Sequence, residues 1–194
     1  MLARSDAELA AVLFHEMAHQ YLYVKGDTLF NESFASFVEE AGVTMWLESR
    51  DADASLQAWK DGRQAARQFQ VLLESYRAEL DTLYAAEQPP AEIRAGKERL
   101  YAELEKDWAQ LSRDEWNGVK YFGSWFEQSP NNARLALLQS YRGGTCAFDR
   151  LFRESGRDMP RFLVLAEDKS RLAKTQRAEW LQQPCNPIAP DGNL

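Results

Sequence analysis

The sequence predicts a mainly α-helical fold, on three observations. Apolar residues recur at helical spacing through most of the 194 residues, and no stretch reads convincingly as a β-strand. The breaks carry helix punctuation: Gly26, Asp51 to Ser55, Pro89-Pro90 and Gly143-Gly144. A hydrophobic content of 45% with 27% charged residues marks a globular chain with a substantial core. The length suits one domain, or one domain with a long helical excursion. No internal repeat is visible.

Leu9 to Val24 reads as a first helix, with Gly26 as its stop. Asp27 or Thr28 can cap a second helix, where apolar spacing resumes at Leu29 and Phe30 and runs to about Ser49. DADAS, Asp51 to Ser55, is a break and a fresh cap. Next comes a heptad seam from about Leu56 to Ala86. Trp59, Ala66, Leu73 and Leu80 repeat every seven residues, with Gly62, Phe69, Tyr76 and Leu83 three further on. Pro89-Pro90 ends it, and Ile93, Leu100, Leu104, Trp108 and Leu111 line the apolar face of another helix. The two read as a long antiparallel hairpin. Such a hairpin either packs as an arm over neighbouring helices or presents a side that recognises a partner or gates substrate.

From Ser112 to Pro130 the text turns aromatic: Trp116, Tyr121, Phe122, Trp125 and Phe126. This stretch either walls a pocket or is a loop pinned to the core by its rings. Further helices are expected from Asn131 to Tyr141, Cys146 to Glu154, Met159 to Lys169 and Leu172 to Leu181. The tail from about residue 182 holds three of the seven prolines and is expected to be irregular. Three segments result: residues 1–50, a hairpin arm at 51–111, and a helical part at 112–194 that rejoins the first.

The net charge is −7, and no basic stripe is present, which argues against a nucleic-acid partner. No apolar run approaches the roughly 18 residues a membrane span needs. Residues 1–14 lack the basic and hydrophobic regions of an export signal.

The chemistry concentrates in Leu13 to Glu40, LFHEMAHQYLYVKGDTLFNESFASFVEE, which holds the only two histidines. His15 and His19 bracket Glu16 in the pattern His-Glu-x-x-His. Helical residues four apart lie about 40° from alignment, so both imidazoles reach one metal ion from one face. Glu16 projects beside them, where a carboxylate can act on water. With reversal at Gly26, His19 lies seven residues before the pivot and Glu32 six after it. The two then stand at similar heights on neighbouring helices, whose axes pack about 8–10 Å apart. Two histidines and one glutamate leave a fourth position for water, the catalytic zinc arrangement.

These residues resemble the gluzincin metallopeptidases, in which a downstream glutamate within Asn-Glu is the third zinc ligand. More narrowly, FHEMAHQ, YVKGDTLFNESFASFVEE and Trp46-Leu47 are similar to a bacterial family of predicted aminopeptidases with a gluzincin motif. The likeness is close over about the first fifty residues. It is looser at Asn131-Asn132-Ala133, Tyr141 and Pro160-Arg161-Phe162.

The resemblance implies one Zn2+ per chain on His15, His19 and Glu32, a peptide substrate, and Glu16 as general base. It makes Tyr141 the candidate oxyanion donor, since no third histidine exists, and Asn131 and Asn132 candidates for gripping substrate backbone. Ser36 stands where some gluzincins place an acid behind the ligands, which leaves that role to Glu39, to Glu40 or to no residue. The family's members are longer upstream, where a β-sheet precedes the metal helix. They look exported or lipid-anchored at the cell envelope. The chain is therefore expected to be the C-terminal part of a longer peptidase, and cytoplasmic only if it is complete. Export would favour a disulfide between Cys146 and Cys185, and a cytosolic location two buried thiols. Two other functions remain open: an inactive metal-binding scaffold, and a helical interaction module built on the hairpin.

Overall fold

The computed structural model describes residues 5–127 and 144–183, and among them every regular element is a helix. The fold is mainly α. In chain order the helices are α1 (Asp6–Tyr21), α2 (Thr28–Glu48), α3 (Asp53–Ala85), α4 (Pro90–Asp114), α5 (Gly123–Phe126), α6 (Thr145–Glu154), α7 (Met159–Ser170) and α8 (Lys174–Leu181). The helix expected from Asn131 to Tyr141 lies outside the described residues. The chain divides into two compact units, Met1–Ala52 with Gln139–Leu194 and Asp53–Leu138.

The first unit is built on α2. Its Phe30, Phe34 and Phe37 are buried together with Phe148 of α6, Phe162 of α7 and Trp180 of α8. Most of the rings meet edge-on or tilted, at centroid distances such as 5.3 Å for Phe30–Phe148 and 4.8 Å for Phe37–Phe162, while Phe34 stacks on Phe162 at 6.1 Å. Edge-to-face rings add about 0.5–1.5 kcal/mol per pair to the burial of apolar area. Helix α1 lies on α2 through one face only; its far side exposes Leu9, Leu13 and Met17.

Both limits of the first helix differ from expectation. The first helix starts at Asp6, because Ser5 and Glu8 form a capping box, and it ends at Tyr21 rather than Val24. The early end follows from Asn31. Its side-chain oxygen accepts the Val24 N–H at 2.8 Å, and its amide donates to the Val24 carbonyl at 2.9 Å, so Val24 is held by α2 instead of continuing α1. Gly26 then serves the turn, at φ +78°, a conformation open to glycine at little cost.

The second unit is the expected hairpin with an aromatic plug. Tyr76 donates to Asp107 at 2.7 Å and Gln68 reaches Glu115 at 3.3 Å, pairs whose numbers run in opposite directions as an antiparallel hairpin requires. Phe69, Leu73, Tyr76 and Leu80 of the heptad seam are buried against Leu100, Leu104 and Trp108. At the seam's start Ala65 is buried and Ala66 only partly so. A straight helix turns 3.6 residues, not 3.5, so a strict seven-residue repeat drifts off the seam.

The aromatic segment belongs with the hairpin, not with the part at 112–194. Phe122 stacks on Phe69 at 4.7 Å, and Phe126 lies tilted against Trp108 at 4.6 Å. Trp116 donates to Gln68 at 2.8 Å, and Trp108 donates to the Tyr121 carbonyl at 2.8 Å. Of the two readings of this stretch, the pinned loop is the one observed.

Candidate metal centre

The turn between α1 and α2 fixes the site. Asp27 caps α2, accepting the Phe30 N–H at 3.2 Å. From there three pairs step outward along antiparallel helices: His19 with Glu32, His15 with Glu39, and Phe14 with Gly42. A β-carbon at Gly42 would stand only 3.0 Å from the Phe14 ring, so glycine permits the close approach that brings His15 within reach of α2.

His15 Nε2 lies 3.2 Å from His19 Nε2. The Glu32 carboxylate presents one oxygen to each ring, Oε2 at 3.5 Å from His15 Nε2 and Oε1 at 3.6 Å from His19 Nε2. One donor atom from each of the three residues falls within 4.8 Å of the others, and among the described residues this is the only such group of His, Cys, Asp and Glu. The side chains are partly open, at 22% exposure for each histidine and 19% for Glu32, so solvent reaches the cluster. Glu16, one residue after His15, is exposed.

Behind the cluster, His15 Nδ1 meets Glu39 Oε2 at 3.1 Å. Glu39 is one of the two acids that the sequence left open for this position; Ser36 is buried on the same helix. His19 Nδ1 is buried without a hydrogen-bond partner. Tyr141, Asn131 and Asn132 lie outside the described residues. Cys146 is disulfide-bonded, and Cys185, the only other cysteine of the chain, also lies outside them.

Three contacts that the sequence did not suggest hold the turn from α7 and α8. Tyr21 donates its hydroxyl to Glu167 at 2.7 Å, Lys174 donates to the Gly26 carbonyl at 2.9 Å, and Arg177 pairs with Asp27 at 2.8 Å. The bond to Glu167 favours the neutral phenol and holds the Tyr21 pKa above its ordinary value. No local pattern announces these pairs, because each joins residues about 150 apart.

Residues 1–181 match the model of a known family, the one described as "putative aminopeptidase". The chain belongs to this family. No curated protein and no solved structure matches it. Membership makes peptide hydrolysis the coarse function of the chain. No helix among the described residues is long and apolar enough to cross a membrane.

Proposed function

We propose that the chain is a zinc-dependent metallopeptidase of the gluzincin type, acting as an aminopeptidase on peptide substrates. The observation that carries this reading is the spacing of the donor atoms. Around a tetrahedral ion bound at about 2.0–2.2 Å, donor atoms stand about 3.3–3.6 Å apart. Here the two Nε2 atoms stand 3.2 Å apart, each lies 3.5–3.6 Å from a different oxygen of Glu32, and with one donor atom taken from each residue the three fall within 4.8 Å of one another. Two imidazole nitrogens and one carboxylate oxygen are also the donor set of open zinc sites that retain a position for water. The residues therefore fit the ion, with His15, His19 and Glu32 holding it.

When bound, zinc supplies Lewis acidity, enough to make water nucleophilic near neutral pH. Glu16 takes the proton of the attacking water and returns it to the departing amine, so one carboxylate acts as base and then as acid. Glu32 contributes negative charge and a fixed oxygen, while the two rings contribute neutral nitrogen donors. Tyr141 as oxyanion donor and Asn131 and Asn132 as backbone grips rest on the family likeness. The Cys146 disulfide supports a location in an oxidising compartment, such as the bacterial periplasm.

The test is zinc content measured on the same purified protein as a panel of fluorogenic aminoacyl and peptide substrates, with and without chelator. Expected are about one zinc per chain and chelator-sensitive cleavage. Glu16→Gln keeps the zinc and loses cleavage, and Glu32→Ala loses zinc. Cleavage by Glu16→Gln at the parent rate would overturn the mechanism. Zinc without cleavage in the parent would mark a metal-binding scaffold.

A further inference from the structure

We propose that Glu39 is a positioning residue for this metal centre, acting through His15. The inference rests on the metal-site reading above. His15 has two ring nitrogens with different neighbours: Nε2 faces His19 and Glu32, and Nδ1 faces Glu39 Oε2 at 3.1 Å. An ionised carboxylate only accepts hydrogen bonds, so this contact places the ring proton on Nδ1. The Nε2 lone pair is thereby left pointing into the cluster, which is the tautomer that a metal ligand needs.

Glu39 reaches the His15 ring from α2. Glu32, Ser36 and Glu39 fall at i, i+4 and i+7 on α2 and share one face of that helix. Ser36, one turn beyond Glu32, is buried. One turn later, where Gly42 and Phe14 close the gap between the helices, a glutamate bridges it to the far side of the His15 ring. The two histidines are thus held unequally. His15 is braced on both nitrogens, whereas His19 Nδ1 has no partner among the described residues. The brace sets one of three ligands, so its loss is expected to weaken the site without abolishing it.

The experiment compares the full chain with Glu39→Gln and Glu39→Ala, using zinc alone as the probe. It reads zinc affinity by competition with a chromophoric chelator, the thermal midpoint of the chelator-treated protein, and the imidazole nitrogen NMR signature of His15. Glu39→Ala is expected to weaken zinc binding about 10–100-fold, the usual effect of removing such a partner. The midpoint of the zinc-free protein should move little, and the Nδ1–H signature of His15 should be lost. Glu39→Gln retains an acceptor oxygen, so it keeps that signature and most of the affinity. Parent-like affinity in Glu39→Ala overturns the proposal while leaving the metal site standing. A parent that binds zinc no better than His19→Ala removes the metal-site reading and the proposal together.

Discussion

Arg177 Nε donates to Asp27 Oδ2 at 2.8 Å across 150 residues of sequence, and both side chains are only 8% exposed. The pair fastens α8 to the turn that spaces the two site helices. Its charges are well supported: Arg177 also donates to the carbonyls of Ser170 and Leu172, and Asp27 accepts the Phe30 N–H. Removing one partner of a buried, hydrogen-bonded pair typically costs about 3–5 kcal/mol, because the other charge stays buried without compensation. Arg177→Ala is therefore expected to lose about that much stability in urea unfolding. A loss of only a few tenths would mean that water reaches Asp27.

Asn31 tests the end of α1. Its amide fills both backbone positions of Val24 and is 2% exposed. Asn31→Ala leaves the partly buried Val24 N–H unpaired, at about 1–3 kcal/mol, while the Val24 carbonyl keeps the Asp27 N–H at 3.2 Å. Asn31→Asp should cost more, since a carboxylate oxygen would then face the Val24 carbonyl. Because Glu32 follows directly, zinc affinity is expected to fall with stability in both variants. Unchanged zinc binding in a destabilised Asn31→Asp protein would show that the turn and the cluster are uncoupled.

Gly144, at the start of α6, sits where side chains of two other helices converge. A β-carbon there would lie 2.5 Å from Leu181 Cδ2 and 2.7 Å from Ser33 Oγ. Alanine forces both to move in a close-packed region, and overpacking of this kind costs about 1–3 kcal/mol. The midpoint of chemical denaturation measures it, and Gly144→Ala at parent stability would mean that α8 yields freely.

Alkaline pH should act on the hairpin. Burial, with the Asp107 carboxylate that accepts its hydroxyl, raises the Tyr76 pKa well above the usual phenol range. Burial, with Tyr84 nearby, pushes Tyr101 up to about 12. Folding thus favours the protonated phenols. Their contribution is complete below the unfolded pKa of about 10 and is lost as pH rises through the folded values. Stability should fall from about pH 10 upward, and Tyr76→Phe should flatten that fall. A phenolate absorbance titration checks the cause, because all seven tyrosines ionising together near pH 10 would refute it.

What was legible in the sequence is what depends on short spacing. His15 and His19 share a helix face because they are four apart, and Glu32 joins them because Gly26 lies midway between it and His19. The seam of Phe69, Leu73, Tyr76 and Leu80 is likewise a matter of repeat. The end of α1 is not legible in its own residues because a side chain on the next helix, Asn31, overrides the helical pattern at Val24. Trp116 and Trp125 could not be assigned, since an aromatic run looks the same whether it plugs a hairpin or lines a pocket. Arg177 left no trace as a partner of Asp27, because an arginine on a short helix is ordinarily a solvated charge.

Among the described residues, no buried residue of the hairpin core belongs to the phenylalanine core around α2. Within the hairpin, close packing already includes Gly96, whose β-carbon position lies 2.8 Å from Leu83 Cδ1. The plug adds Trp116 and Trp125, both buried. Isolated helices gain little in water without an apolar face to cover, so the hairpin should need its plug to melt as a unit. Expressed alone, Asp53–Leu138 is expected to be helical and to unfold cooperatively, whereas a version ending at Asp114 should melt broadly. Trp125→Ala in the longer piece should cost about 3–5 kcal/mol. Circular dichroism melts decide: a broad transition for Asp53–Leu138 would mean that its stability depends on the remainder of the chain, despite the separate core.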